Sequence, residues 1–140
     1  MTPVRHIASR PPITASPHIS IREAAGIMAQ RRIGLLILVE GGKLYGVVSE
    51  RDIVEAVAQG VPPGEEVSKI AKREVVTIDA DVNIREAATL IRRHGIRHLV
   101  VMSRGEIYGV ISVRDLVREK EILASIAEFP RLETELAAAD

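Results

Sequence analysis

One seven-residue phrase occurs twice in the sequence: Gly46-Val47-Val48-Ser49-Glu50-Arg51-Asp52 and Gly109-Val110-Ile111-Ser112-Val113-Arg114-Asp115. In each, an apolar strand-like stretch runs into Ser-x-Arg-Asp, the pattern of a strand that turns directly into a helix. A helix start offers free N–H groups and a partial positive charge, which suit a phosphate. The hydroxyls of Ser49 and Ser112 add donors, and the guanidinium groups of Arg51 and Arg114 add charged forks. The carboxylates of Asp52 and Asp115 can accept two hydrogen bonds from a vicinal diol such as that of ribose. Phosphate donors, a diol acceptor and an apolar slot are together what a nucleotide requires. Ile19, Leu35 and Val82, with the aliphatic runs around them, can form such a slot without an aromatic ring. A purely structural reading stands beside this one. Ser49 with Asp52, and Ser112 with Asp115, also spell a helix capping box, worth about 1 kcal/mol each. Capping alone does not require the Gly three residues before Ser, which would let a ligand approach the strand. Nor does it require the Arg before Asp.

The elements that must position these residues follow from an internal repeat. At an offset of 63 residues, Val4–Ile53 aligns with Val67–Leu116 without gaps, and 19 of the 50 pairs are identical. The chain is therefore one unit used twice. Ser20-Ile21-Arg22-Glu23 and Asn83-Ile84-Arg85-Glu86 start helices, with the side-chain oxygen taking an orphan N–H and the Glu reaching back. Ile21, Ala24, Ala25 and Met28 recur at helical spacing, as do Ile84, Ala87, Ala88 and Ile91, so each helix buries one face. These helices are expected to end near Arg32 and Gly95. Leu35–Val39 and Leu99–Met102 are continuous apolar runs that predict strands buried on both faces. Gly41-Gly42 and Arg104-Gly105 predict tight hairpin turns at positive φ. Leu44–Val48 and Ile107–Ile111 return, and second helices follow over Glu50–Gln59 and from Val113 to about Glu128. The predicted fold class is α/β (α+β), two β-α-β-β-α repeats packed by pseudo-twofold symmetry. The expected organisation is repeat 1 over 1–60, a turn-rich linker over 61–66, repeat 2 over 67–128 and a C-terminal tail over 129–140.

Composition narrows the function. Lys plus Arg is 19 and Asp plus Glu is 19, so the formal charge is zero. A nucleic-acid polymer partner is not expected, since it demands surplus cations. With Tyr45, Tyr108 and Phe129 as the sole aromatics, there is no platform for stacked bases. The chain lacks cysteine, so disulfides, thiolate metal sites and a Cys nucleophile are excluded. The first ten residues carry no signal-like apolar run, and no stretch reaches the roughly 18 apolar residues of a membrane span. No membrane association and a cytoplasmic location are expected. His94 and His98 are four apart, but Gly95 breaks the helix between them, so no metal site is expected. No nucleophile-elbow, zinc-protease or P-loop pattern is present, and two copies of one motif suit binding better than the differentiated roles of catalysis. The protein is expected not to be an enzyme.

The tandem unit and its paired endings resemble the cystathionine-β-synthase (CBS) domain, present as a tandem pair or Bateman module. The resemblance covers about Val4–Val117 and implies a non-catalytic sensor or regulatory module, here standing alone. It implies an adenine-nucleotide ligand, AMP foremost, with ADP, ATP or S-adenosylmethionine as variants, and no catalytic cofactor. By position, Asp52 and Asp115 match the family's ribose-binding acid. Ser49 and Ser112 match its hydroxyl near ribose and phosphate, and Arg51 and Arg114 match the position before the acid. Arg97 and His98 match a basic pair that reaches phosphate in some members. The first copy has Gly34 and Leu35 there, so unequal sites are expected. In the family the repeats pack sheet to sheet, with ligand clefts that bridge them. The resemblance also implies a flat homodimer and, for a regulator, a partner protein that it controls. The alternative is an interaction module or regulatory subunit in which nucleotide binding has no physiological part.

Overall fold

The computed structural model describes residues 2–119, so the tail over 129–140 and the second half of the last predicted helix lie outside the described residues. The chain divides into two compact units. The first, Ile13–Val75, carries β1 (Thr14–Ala15), α1 (Ile21–Arg31), β2 (Leu35–Glu40), β3 (Lys43–Ser49) and α2 (Glu50–Ala58). The second joins residues 2–12 to β4 (Thr77–Asp79), α3 (Ile84–His94), β5 (His98–Ser103), β6 (Glu106–Ser112) and α4 (Val113–Arg118). Each unit holds a three-stranded sheet in which the first strand runs parallel to the second and the second antiparallel to the third. The fold is α+β, as the periodicity predicted.

The compact units are cut differently from the sequence repeats. The one-turn 3-10 helix Val4–His6 opens the first repeat but lies in the second unit. Val4 is fully buried in the core formed by Ile78, Ile84, Ile91, Leu99, Ile111 and Leu116. Its counterpart Val67, in the 3-10 helix Val67–Lys69, is fully buried against Ile21, Met28, Leu36, Leu38 and Val48 of the first unit. Backbone bonds repeat the exchange: Val4 N–H donates to Val82 O at 2.8 Å, and Val67 N–H to Ile19 O at 2.8 Å. Both bonds obey the 63-residue offset. Each segment brings one apolar side chain and its unpaired backbone to a sheet that supplies both a core and partners.

Local chemistry explains the elements. Ser20 and Glu23 form a complete capping box on α1. On α3, Asn83 Oδ1 accepts from Arg85 N–H at 2.9 Å. Arg32 and Gly95 end α1 and α3 in the left-handed conformation. Gly41 and Gly42, and Arg104 and Gly105, have positive φ in the two hairpin turns. Leu36, Ile37 and Leu38 are all fully buried, and so are Leu99 and Val101 with Val100 nearly so, which confirms strands covered on both faces.

Candidate functional site

The N-terminus of α2 is where the first copy of the duplicated phrase folds. Ser49 Oγ accepts from Asp52 N–H at 3.2 Å, and Asp52 Oδ2 accepts from Ser49 N–H at 2.9 Å and from Ser49 Oγ–H at 3.0 Å. The cap is thus complete, and it uses only one carboxylate oxygen. Asp52 is buried, the single buried charged side chain among the described residues. Its other oxygen, Oδ1, lies 3.7 Å from the ammonium of Lys72. Arg51 is exposed on the first turn of the helix. Leu35, the first residue of β2, pairs with Ser49 and stands beside the cap.

The second unit builds the same cap with different neighbours. Ser112 N–H donates to Asp115 Oδ2 at 2.8 Å, and Asp115 N–H to Ser112 Oγ at 3.2 Å. His98 pairs with Ser112 across β5 and β6, and Val113 N–H donates to Arg97 O at 3.0 Å. Burial pushes the His98 imidazole down to about 4; the Asp115 carboxylate opposes this, while Arg97 and Arg114 add to it. At neutral pH the imidazole is therefore uncharged, between two guanidinium groups and one carboxylate. Arg97, His98, Ser112, Arg114 and Asp115 are gathered at one end of one sheet.

Ile19 and Val82 are not brought to the caps of their own units. Ala80 N–H donates to Met102 O, which places the turn before Val82 at the hairpin end of β5. His98 starts that strand five residues from its end at Ser103, about 17 Å away at ~3.3 Å per residue. In the first unit His18, next to Ile19, bonds Glu40 at the corresponding end of β2. Both Ile19 and Val82 pack against their cores.

The glycines of the phrase have a structural cause. The ligand approach expected at Gly46 and Gly109 gives way to backbone approach. A Cβ on Gly46 would lie 2.5 Å from Lys72 O, and one on Gly109 would meet Ser9 O in the same way. Lys72 exchanges two backbone bonds with Val47, and Ser9 two with Val110, which pairs the outer edges of β3 and β6. The register skips Tyr45 and Tyr108 at matching bulges. Their carbonyls accept from Arg73 Nε at 2.7 Å and Arg10 Nε at 3.0 Å. The same guanidinium groups stack on the Tyr rings at 3.7 and 4.0 Å.

Lys72 escaped the reading of motifs, and His18, which as a sequence position offers no nameable partner, has two. Lys72 lies in the aligned repeat opposite Ser9, and that departure from the repeat was its only signal. His18 donates from Nδ1 to Glu66 Oε1 at 2.6 Å and contacts Glu40 through Nε2, and these carboxylates raise its pKa. At the aligned position the second unit has Asp81, which pairs with Arg5 at 2.6 Å. His94 ends α3 and His98 begins β5, so the two do not share a helix. Among the described residues no cluster of three His, Asp or Glu could hold a metal ion, and no helix is long and apolar enough to cross a membrane.

Two three-stranded α+β units, each closing on a capped Ser-x-Arg-Asp turn, define a tandem-repeat class of fold. A family model for the CBS domain matches residues 4–59 and again 67–121. The chain belongs to the CBS-domain family and carries the domain as a pair. It is 31% identical over 117 residues to the CBS domain-containing protein YhcV of Bacillus subtilis, covering 83% of this chain and 84% of that one. Among solved structures, it resembles a CBS domain protein from Pyrobaculum aerophilum complexed with AMP. The TM-score is 0.83 at 37% identity, over 91% of this chain and 99% of the other. The CBS domain pair of protein MJ0100, in complex with 5′-methylthioadenosine and S-adenosyl-L-methionine, matches at a TM-score of 0.79 and 32% identity, over 84% and 94% of the two chains.

Proposed function

We propose that the protein is a non-catalytic regulatory module that binds an adenine nucleotide, AMP foremost, at the capped turns. The observation that carries this is the carboxylate oxygen that the Asp52 cap leaves over. The cap of Asp52 uses Oδ2 alone, and Oδ1 remains beside a cation. In this reading Oδ1 accepts the ribose diol, and likewise the second oxygen of Asp115. Ser49 and Ser112 lie beside the ribose and phosphate, and Arg51, Arg97, His98 and Arg114 supply charge or donors to phosphate. Leu35 lines the adenine beside its cap. Similar proteins solved with AMP and with S-adenosyl-L-methionine support the ligand class. ADP, ATP and S-adenosylmethionine are the competing ligands, no catalytic cofactor is involved, and the module acts in the cytoplasm on a partner protein.

Thermal unfolding tests the reading. A ligand at a hundredfold excess over its Kd stabilises the folded state by about 2.7 kcal/mol. AMP is expected to raise the midpoint, and Asp52→Ala with Asp115→Ala to abolish that rise. A midpoint unmoved by AMP, ADP, ATP and S-adenosylmethionine alike excludes the proposal. The complete hydrogen bonding of both caps favours a second reading, an interaction module without ligand. It predicts that the same substitutions cost about 1 kcal/mol of stability each, and nothing else.

A further inference from the structure

The two units share a cap but not the charge that faces it. In the second unit Arg97 and Arg114 are the cations that act on His98, the strand partner of Ser112; Arg97 directly precedes His98, and Arg114 directly precedes Asp115. In the first unit the corresponding strand start is Gly34-Leu35, with no charge. The cation comes instead from the edge segment. Lys72 N–H donates to Val47 O at 2.8 Å and Val47 N–H to Lys72 O at 3.0 Å, which anchors the Lys72 backbone two residues from Ser49. Its side chain is 67% exposed, and its ammonium lies 3.7 Å from Asp52 Oδ1, the oxygen that the cap leaves over. Ser9 makes the same two bonds to Val110 and brings no charge.

We propose that Lys72 is a specificity residue of the first unit, which makes the Asp52 turn select a phosphorylated nucleoside over an uncharged one. The inference rests on Asp52 accepting a ribose diol. Asp52 and Lys72 form a neutral pair before ligand arrives. A diol that donates to Oδ1 competes with the ammonium for that oxygen, and an uncharged nucleoside gives the ammonium nothing in return. A phosphate does. The stem of Lys72 is long and solvent-exposed, so its head can turn from the carboxylate to an anion on the same ligand while its backbone stays fixed. Arg51, exposed on the adjacent turn, is the second cation within the site.

Calorimetry with AMP and adenosine on the Asp115→Ala chain reads the Asp52 turn alone. AMP is expected to bind more tightly than adenosine. Lys72→Ser, which installs the residue found at position 9, should weaken AMP by roughly tenfold, the loss of one charge-assisted hydrogen bond, without weakening adenosine. Lys72→Arg should keep the preference. The reciprocal Ser9→Lys in the Asp52→Ala chain should increase the preference for AMP at the second unit. An unchanged ratio of AMP to adenosine affinity in Lys72→Ser overturns the inference while leaving nucleotide binding intact. Loss of all AMP binding in Asp115→Ala alone also overturns it. If the unsubstituted chain binds neither compound, the functional reading fails, and this assignment with it.

Discussion

His98 and Asp115 show how one residue's surroundings set its chemistry. The imidazole is half-buried beside two guanidinium groups, and its pKa falls from 6.5 to about 4. Between those values the unfolded chain holds a proton that the folded chain does not. Stability contributed by neutral His98 is therefore complete above pH 6.5 and lost as pH falls toward 4, at no more than about 1.4 kcal/mol per pH unit. Thermal midpoints measured from pH 7 to 4 should fall less steeply in His98→Gln than in the unsubstituted chain; parallel curves would contradict the assigned shift. His18 works in the opposite sense. Its pKa is raised by Glu66 and Glu40, so its contribution is present below 6.5 and lost as pH rises through the raised value. Little of this was legible beforehand. Arg97 and His98 stood out as a pair, but a pKa depends on burial and on neighbours distant in sequence.

At the scale of elements, the sheet edges matter most. Gly46 and Gly109 read as places for a ligand because they precede Ser by three residues in both copies. The structure shows that a backbone carbonyl occupies that space. Gly46→Ala should therefore shift the Lys72–Arg73 segment off β3 and cost about 1–3 kcal/mol, as overpacking does elsewhere, in urea unfolding. Gly26→Ala is the control: it lies in α1 with nothing within 4 Å of its new methyl, and should stabilise by up to about 1 kcal/mol. Equal effects of the two substitutions would show that edge pairing is not what Gly46 serves. Helices, strands and turns up to the start of α4 were legible almost to the residue, because caps, periodicity and positive-φ positions are local signals; α4 itself stops at Arg118, with Glu119 extended, short of the expected Glu128. Lys72 was not, because it meets Asp52 only after its segment has paired with an edge strand.

For the whole molecule, the surface of α2 suggests how copies associate. Val54 and Val57 are 66% and 70% exposed and lie one turn apart on one face. A homodimer through this face is the expected assembly. Sedimentation equilibrium should give twice the chain mass, and Val54→Ser with Val57→Ser should shift it toward the monomer. A monomeric mass for the unsubstituted protein at tens of micromolar would rule the dimer out.

The sequence by itself determined the duplicated unit, its order of elements, and its caps and turns. Those properties depend on neighbours within a few residues, or on comparing one half of the chain with the other. Tertiary structure alone decided that Val4 and Val67 lie in the units opposite their repeats, that Gly46 and Gly109 make room for backbone, and that Lys72 faces Asp52 while Ser9 brings no charge to the edge of β6. Each depends on which distant segment fills a buried space or pairs an open strand edge, and residue types at fixed spacing do not encode that choice.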